Sequence, residues 1–112
     1  MATQDLTLLY GSLVVGRISK AFCSDATWYG LHRPLIEIKD GVLAHRLLDY
    51  INFSQDWNER LRKGLAADPA EFEHYADVIK SGLWSTDTTD GHRSSIIDAP
   101  VFFAGDEISW RI

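Results

Sequence analysis

The stretch DGVLAHRLLDYINFSQDWNERLRKG, residues 40–64, decides the fold because it predicts one long amphipathic helix. Asp40 is the predicted N-cap and Gly64 the predicted end. Ser54 interrupts the apolar face, which predicts a bond back to its own helix or a joint near residues 52–54. A lone helix of this length is marginal in water, so its apolar face requires a partner surface. At about 100° per residue, that face contains Leu43, Leu47, Tyr50, Trp57 and Leu61.

Strand-like segments precede this helix. In the second of them, Val14, Ile18 and Phe22 are predicted to share one face of a strand. Gly16 predicts a bulge or a close approach of another group, and Pro34 predicts an edge or the point where the chain leaves the sheet. The predicted strands are 6–10, 13–23 and the extended segment 27–38, with turns at Gly11-Ser12 and Ser24-Asp25.

A second helix and further strands follow the central helix. Asp68, Pro69 and Glu71 form a helix-start signal, and Gly82 marks the predicted end. The short connection predicts that the two helices are antiparallel neighbours. Strands are then predicted at 83–86, 96–104 and 107–112, with turns at 88–91 and Gly105-Asp106.

The order of these elements predicts a single α+β domain covering residues 1–112. We expect an antiparallel sheet of about five or six strands, packed on one face by two antiparallel helices in the order ββ(β)-αα-(β)ββ. The order of the strands within the sheet does not follow from the sequence.

Composition limits the function classes. With 112 residues, 46% hydrophobic and 24% charged, the chain has the composition of one globular domain. Its net charge of −5 disfavours a nucleic-acid partner. The single cysteine, Cys23, excludes an internal disulfide and fits a reducing compartment. We see no secretory signal and no apolar run of the roughly 18 residues that a membrane span needs, so we expect a cytoplasmic protein without a membrane partner.

No catalytic, cofactor or metal signature stands out. Cys23, Asp25 and His32 could form a nucleophile, an acid and a base, but we predict instead that Cys23 is a buried structural thiol, because cysteine is among the most buried residue types. Segment 86–91 is as rich in oxygen as a calcium loop, yet it lacks the required later glutamate and reads as a turn. We therefore predict no catalytic residue, no cofactor and no metal site. The histidines lie at no metal-binding spacing: His32, His45, His74 and His92.

Aromatic residues supply the candidate interaction site. Large aromatic side chains anchor protein interfaces when they are exposed, and they fill the core when they are buried. Both interpretations remain open from the sequence. The candidates are Trp28, Tyr29, His32, Trp57 and Trp110.

Two segments resemble a pattern in small bacterial proteins of unknown function. The first is Asp25-Ala26-Thr27-Trp28-Tyr29-Gly30 with Pro34 downstream, although the related proteins often carry proline where this chain has Thr27. The second is Gly82-Leu83 followed by Gly105-Asp106, Ile108, Trp110 and Arg111. The resemblance implies an α+β fold with two strands before the helices and a bacterial source. It implies no activity.

These observations favour a cytoplasmic protein-interaction module without catalytic activity. Its partner would be another protein, as for a toxin-neutralising immunity-type protein, or a second copy in a homodimer. The alternative is a small-molecule-binding protein or weak enzyme. Its pocket would lie between sheet and helices and would be lined by Tyr29, His32, Tyr50 and Trp110.

Overall fold

The computed structural model describes residues 2–112 and contains one antiparallel sheet. The order across the sheet is β5-β4-β1-β2-β3-β7-β6, so the N-terminal strands form its centre and the C-terminal strands form both edges. The α+β class is confirmed, with seven strands instead of five or six. The strands are β1 (Gln4–Tyr10), β2 (Leu13–Ser24), β3 (Thr27–Pro34), β4 (Trp84–Thr88), β5 (Arg93–Ser95), β6 (Val101–Phe102) and β7 (Glu107–Trp110).

Helices cover one face of this sheet. The long helix α1 spans Val42–Arg62, and a 3₁₀ segment, Pro69–Tyr75, continues into the short helix α2, Ala76–Ile79. Arg46 near the start of α1 forms an ion pair with Asp77, whereas Phe53 further along packs against the earlier residue Phe72 at 4.9 Å. The two helical segments therefore run antiparallel, as predicted. The second one differs from the prediction because most of it is 3₁₀.

The predicted N-cap of α1 is wrong and its predicted end is right. The Asp40 carboxylate accepts the Glu37 N–H at 2.7 Å and so closes a preceding 3₁₀ turn. Gly41 follows with φ +123°, a backbone conformation that favours glycine, and α1 begins at the next residue. At the other end, Gly64 has φ +72°, and the Leu65 N–H donates to the Arg60 carbonyl at 2.8 Å. This pair of features is the glycine-terminated helix end that the sequence indicates.

The buried face of α1 is rotated relative to the predicted one. Leu47 and Tyr50 are buried as expected, but Leu43 and Leu61 are exposed and Trp57 is half-buried. The rotation follows from the position of α1, which lies against the edge strand β6 as well as over the sheet. The buried positions are Ala44, Leu47, Tyr50, Ile51 and Ser54.

Ser54 is buried because it binds the sheet edge; neither predicted explanation for it is correct. Its Oγ accepts the Phe102 N–H at 2.9 Å and donates to the Phe102 carbonyl at 3.2 Å. One turn on either side, Asn58 Nδ2 donates to the same carbonyl at 3.3 Å, and the Tyr50 hydroxyl donates to the Pro100 carbonyl at 2.9 Å. α1 thus satisfies backbone groups that an edge strand would otherwise expose to another chain.

We expect Ser54→Ala to lower the free energy of unfolding by about 1–3 kcal/mol, because it leaves the buried Phe102 N–H without a partner. Urea-induced unfolding measures the change. Ser12→Ala, at an exposed hairpin turn, is the control and should change stability little. Equal stability of Ser54→Ala and the unmodified chain would contradict the structural role of this bond.

The C-terminal strands differ from the prediction. Segment 96–104 is not one strand; within it only Val101–Phe102 is a strand, and it pairs with β7. Asp98 has φ +57°, which strand geometry does not allow. The sheet instead gains β5, which forms a hairpin with β4 across the predicted turn, where the Gly91 N–H donates to the Thr88 carbonyl at 3.1 Å. The predicted turn at Gly105 joins β6 to β7, with φ +77° at the glycine.

Candidate interaction surface

In residues 2–112, no helix covers the side of the sheet opposite α1, which is here called the open face. The alternation along β3 shows this directly: His32 points towards α1 and is 5% exposed, whereas Leu31 beside it is 38% exposed. Tyr29 and Arg33 share the side of Leu31 because they lie two residues away along the same strand. One face of a half-buried antiparallel sheet is normally polar. The open face of β2 and β3 departs from that pattern.

An apolar patch, defined as Phe22, Tyr29 and Leu31, lies on the open face. Phe22 and Tyr29 are directly opposite each other on β2 and β3, and their rings stack with centroids 5.4 Å apart. Leu31 extends the patch along β3. The three residues line a surface cavity of about 450 Å³, with Lys20 and Glu107 at its rim.

An arginine pair, Arg17 and Arg33, lies beside this patch. The two residues are directly opposite each other on β2 and β3, and both are exposed. Across β1 and β4 the same row continues through Thr7 to Asp87, but Arg93 already holds the Asp87 carboxylate at 2.8 and 2.9 Å. Like charges directly opposite each other destabilise a sheet. The arginine pair is therefore expected to lower the stability of the folded chain.

The distribution of ion pairs sets the β2–β3 hairpin apart. Of the 11 lysines and arginines, six form ion pairs with carboxylates in residues 2–112. Among the five that do not, three lie on the β2–β3 hairpin: Arg17, Lys20 and Arg33. The other two are Lys80 and Arg111, far apart in sequence. An acidic protein thus keeps its unpaired cations mostly on one hairpin.

His32, on the other side of β3, is enclosed in the core. Its ring packs against Phe102 with centroids 5.2 Å apart, and its Nε2 has no hydrogen-bond partner in the described chain. A Cβ at Gly16 would lie 2.3 Å from this Nε2, which confirms the predicted close approach at Gly16. Burial lowers the pKa of His32 to about 4, against a smaller opposing effect of the Asp106 carboxylate.

The remaining sequence-predicted interaction residues lie apart from the open face. Trp28 and Trp110 are directly opposite each other on β3 and β7 and stack at 5.9 Å on the α1 side, with Trp110 buried and Trp28 half-buried. Trp57 is half-buried, donates its Nε1–H to the Asp68 carbonyl at 3.0 Å and packs against Phe72. Of the five predicted residues, only Tyr29 lies on the open face.

The structure does not bring the predicted catalytic residues together. The prediction that Cys23 is a buried thiol is also wrong: Cys23 is exposed and pairs with Trp28 at the turn end of the β2–β3 hairpin. His32 is buried and pairs with Ile18, further along the hairpin. Asp25, in the turn, has φ +51°. Within residues 2–112, no group of three or more His, Cys, Asp or Glu side chains could hold a metal ion.

The pocket predicted between sheet and helices is not formed by the residues named for it. Tyr29 is on the open face, whereas His32, Tyr50 and Trp110 lie on the α1 side. Phe102 fills the space between His32 and Tyr50, with ring centroids 5.2 and 6.0 Å from theirs. The four residues therefore cannot line one cavity.

The sequence prediction missed most of the open face. It named neither the arginine pair nor Leu31, and it placed Phe22 on the same face as Ile18. In the structure Ile18 is buried on the α1 side and Phe22 lies on the open face. A usable signal was the excess of cations in residues 13–34, three against the single carboxylate of Asp25, in a chain of net charge −5.

Comparison of the chain with protein-family models, with curated proteins and with solved structures gives no match. In the described part of the chain, no helix is both long and apolar enough to cross a membrane. α1, the longest helix, carries charged residues along its outer side and in its last turn.

Proposed function

We propose that this chain is a protein-interaction module that binds a different protein through the open face of its sheet. The observation that carries the proposal is the apolar patch on the open face, in which Tyr29 and Leu31 are exposed and Phe22 is half-buried. The largest contiguous apolar patch on a soluble protein is often a contact site.

The apolar patch has the composition of an interface centre. Tyrosine and phenylalanine bury much area with few rotatable bonds, so contact with a partner costs little side-chain entropy. Here the cross-strand stack already fixes both rings in the free protein. Such preorganisation favours tight binding because less ordering remains to be done when the partner arrives.

The charges beside the patch indicate the chemistry of the partner. Lys20 lines the patch cavity and Arg17 and Arg33 lie beside it, and none of the three forms an ion pair with a carboxylate in residues 2–112. A protein surface that combines apolar side chains with carboxylates would complement both features. Nucleic acid is a weaker fit, because three cations on a chain of net charge −5 make a small phosphate-binding footprint.

A second copy of the chain fits the surface less well than a different protein. The β6 edge is covered by α1 through Ser54 and Asn58, and the β5 edge is only three residues long, so neither edge invites pairing between copies. Two open faces in contact would also bring two sets of unpaired cations together. An immunity-type protein that binds a toxin is one concrete form of the proposal. The crosslinking test below also distinguishes a different partner protein from a homodimer.

Site-specific crosslinking tests the proposal. The photoreactive residue p-benzoylphenylalanine is placed at Leu31 in the full chain, expressed in its cell of origin, and at Leu61 as a matched control. Both leucines are exposed, but Leu61 lies on α1. We expect one protein adduct from position 31 and none from position 61. The adduct's partner is identified by mass spectrometry and purified.

Affinity measurements with the purified partner complete the test. Tyr29→Ser combined with Leu31→Ser should weaken binding about 1,000-fold, since truncation of a central interface residue costs about 2 kcal/mol and about 1.4 kcal/mol corresponds to a factor of ten. Leu61→Ser, the same chemical change elsewhere, should change the affinity less than about twofold. The absence of an adduct at position 31, or equal adducts at both positions, overturns the proposal. An adduct of twice the mass of the chain would instead show that the partner is a second copy of the chain.

A further inference from the structure

The arginine pair indicates which chemical group of the partner binds beside the apolar patch, an inference that rests on the proposed function. The geometry points to Arg17 and Arg33 as a two-pronged site that binds one carboxylate of the partner protein. The two arginines occupy directly opposed positions on adjacent strands, and both line the same surface cavity. Guanidinium groups bind carboxylates through paired hydrogen bonds, and each such charge-assisted bond is about twice as strong as a neutral one.

The placement of the pair argues for a ligand. Two like charges directly opposite each other destabilise a sheet, and a carboxylate on a neighbouring residue would normally offset this. Elsewhere the chain does this: Arg93 faces Asp87, and Arg60 binds both Asp56 and Glu71. Neither Arg17 nor Arg33 forms an ion pair in residues 2–112. An incoming carboxylate would remove the repulsion and add attraction.

The surroundings of the pair have room for such a group. A surface cavity of about 490 Å³ opens at the two arginines, and Ser19 supplies a hydroxyl and Leu35 an apolar wall. Asp5 also lines this cavity, so one carboxylate of the chain faces two guanidinium groups and leaves a net positive charge. The site is therefore accessible and cationic.

The adjoining apolar patch favours a protein carboxylate over a phosphate. On β3, Leu31 is two residues and Tyr29 four residues from Arg33, which places the arginine pair about 7 Å from the near end of the patch and about 13 Å from its far end, at about 3.3 Å per residue. A partner that offers an acidic side chain about 7–13 Å from an aromatic or aliphatic one would contact both. A phosphate chain would leave the apolar patch without a matching group.

Acetate tests the site in the intact free protein. The Nε–Hε signals of Arg17 and Arg33 are followed by nuclear magnetic resonance while sodium acetate replaces sodium chloride at constant ionic strength. We expect saturable shifts at both arginines and none at Arg111, another cation without a carboxylate partner. Arg33→Gln should raise the acetate dissociation constant read at Arg17 about tenfold, the effect of one lost charge-assisted bond. Arg111→Gln makes the same change in net charge and should shift it less than about twofold.

The outcomes separate this inference from the proposed function. If acetate produces no saturable shift at Arg17 and Arg33, the carboxylate site is overturned, and the crosslink at Leu31 still decides the proposed function. If acetate binds but Leu31 yields no adduct, the site stands as a small-anion site and the proposed function falls. A single-stranded oligothymidylate of about ten nucleotides that binds in an Arg33-dependent way while acetate does not would assign the face to nucleic acid.

Discussion

Trp84→Ala is expected to lower the free energy of unfolding by about 3–5 kcal/mol, the usual cost of removing a fully buried tryptophan. Trp84 is 1% exposed and packs edge-on against Tyr10 at 5.1 Å. Its Nε1–H also donates to the Val78 carbonyl at 3.0 Å, so one side chain joins β4 to α2. Domains of this size have a total stability of about 5–15 kcal/mol, so the variant should lose a large share of its stability. Urea unfolding followed by circular dichroism measures the loss.

Trp57→Ala is the matched control for this change. Trp57 is half-buried and joins α1 to the 3₁₀ segment through Phe72 and the Asp68 carbonyl. Because much of its ring already contacts water, we expect a loss of about 1–2 kcal/mol. Similar losses for the two variants would contradict the assignment of Trp84 to the core and of Trp57 to its periphery.

Features governed by local chemistry could be predicted from the sequence. The helix start at Asp68 is correct: its carboxylate accepts the Ala70 N–H at 2.9 Å, and Glu71 accepts the Asp68 N–H at 3.0 Å. The glycine end of α1 at Gly64 is correct for the same reason. Each of these signals depends only on residues within one turn of each other, so the sequence alone contains the relevant partners.

Features that depend on tertiary contacts could not be predicted. Ser54 lies in the apolar face of α1 because of a strand edge 48 residues later in the chain. The sequence does not distinguish the four tryptophans by burial, yet Trp84 and Trp110 are buried while Trp28 and Trp57 are half-buried. No spacing rule connects these positions to their partners. To predict which of these residues are buried, one would need the strand order, which places β7 next to β3.

The open face escaped prediction because β2 is irregular. A regular strand would put Ile18 and Phe22 on one side, since they are four residues apart. The register between β2 and β3 shifts between Ser19 and Phe22, where Lys20 has φ +56°. One extra residue on β2 exchanges the two sides of the strand beyond it. Phe22 therefore joins Tyr29 on the open face, and the patch comes from two strands that the sequence pattern treats separately.

We expect acid to destabilise this protein through His32 at pH values where most exposed carboxylates are still ionised. The unfolded chain binds a proton at His32 with an ordinary pKa of about 6.5, while the folded chain does so only at about 4. Between pH 6.5 and about 4 the His32 imidazole is therefore neutral in the folded chain, and the chain takes up a proton when it unfolds. This contribution to stability is complete above pH 6.5, falls as the pH is lowered and is exhausted near pH 4, with a total of about 3 kcal/mol.

His32→Leu separates this effect from other titrations. Leucine is of similar size and carries neither the titrating group nor the buried Nε2 that lacks a partner, so stability at pH 7.5 should be unchanged or slightly higher. Between pH 7.5 and 4.5, urea unfolding should show a fall in stability about 2–3 kcal/mol smaller in the variant than in the unmodified chain. His74→Leu, at an exposed imidazole, should leave that fall unchanged. If His32→Leu and the unmodified chain lose the same stability, the imidazole gains its proton without unfolding, and the closed packing of His32 against Gly16 and Phe102 opens in acid.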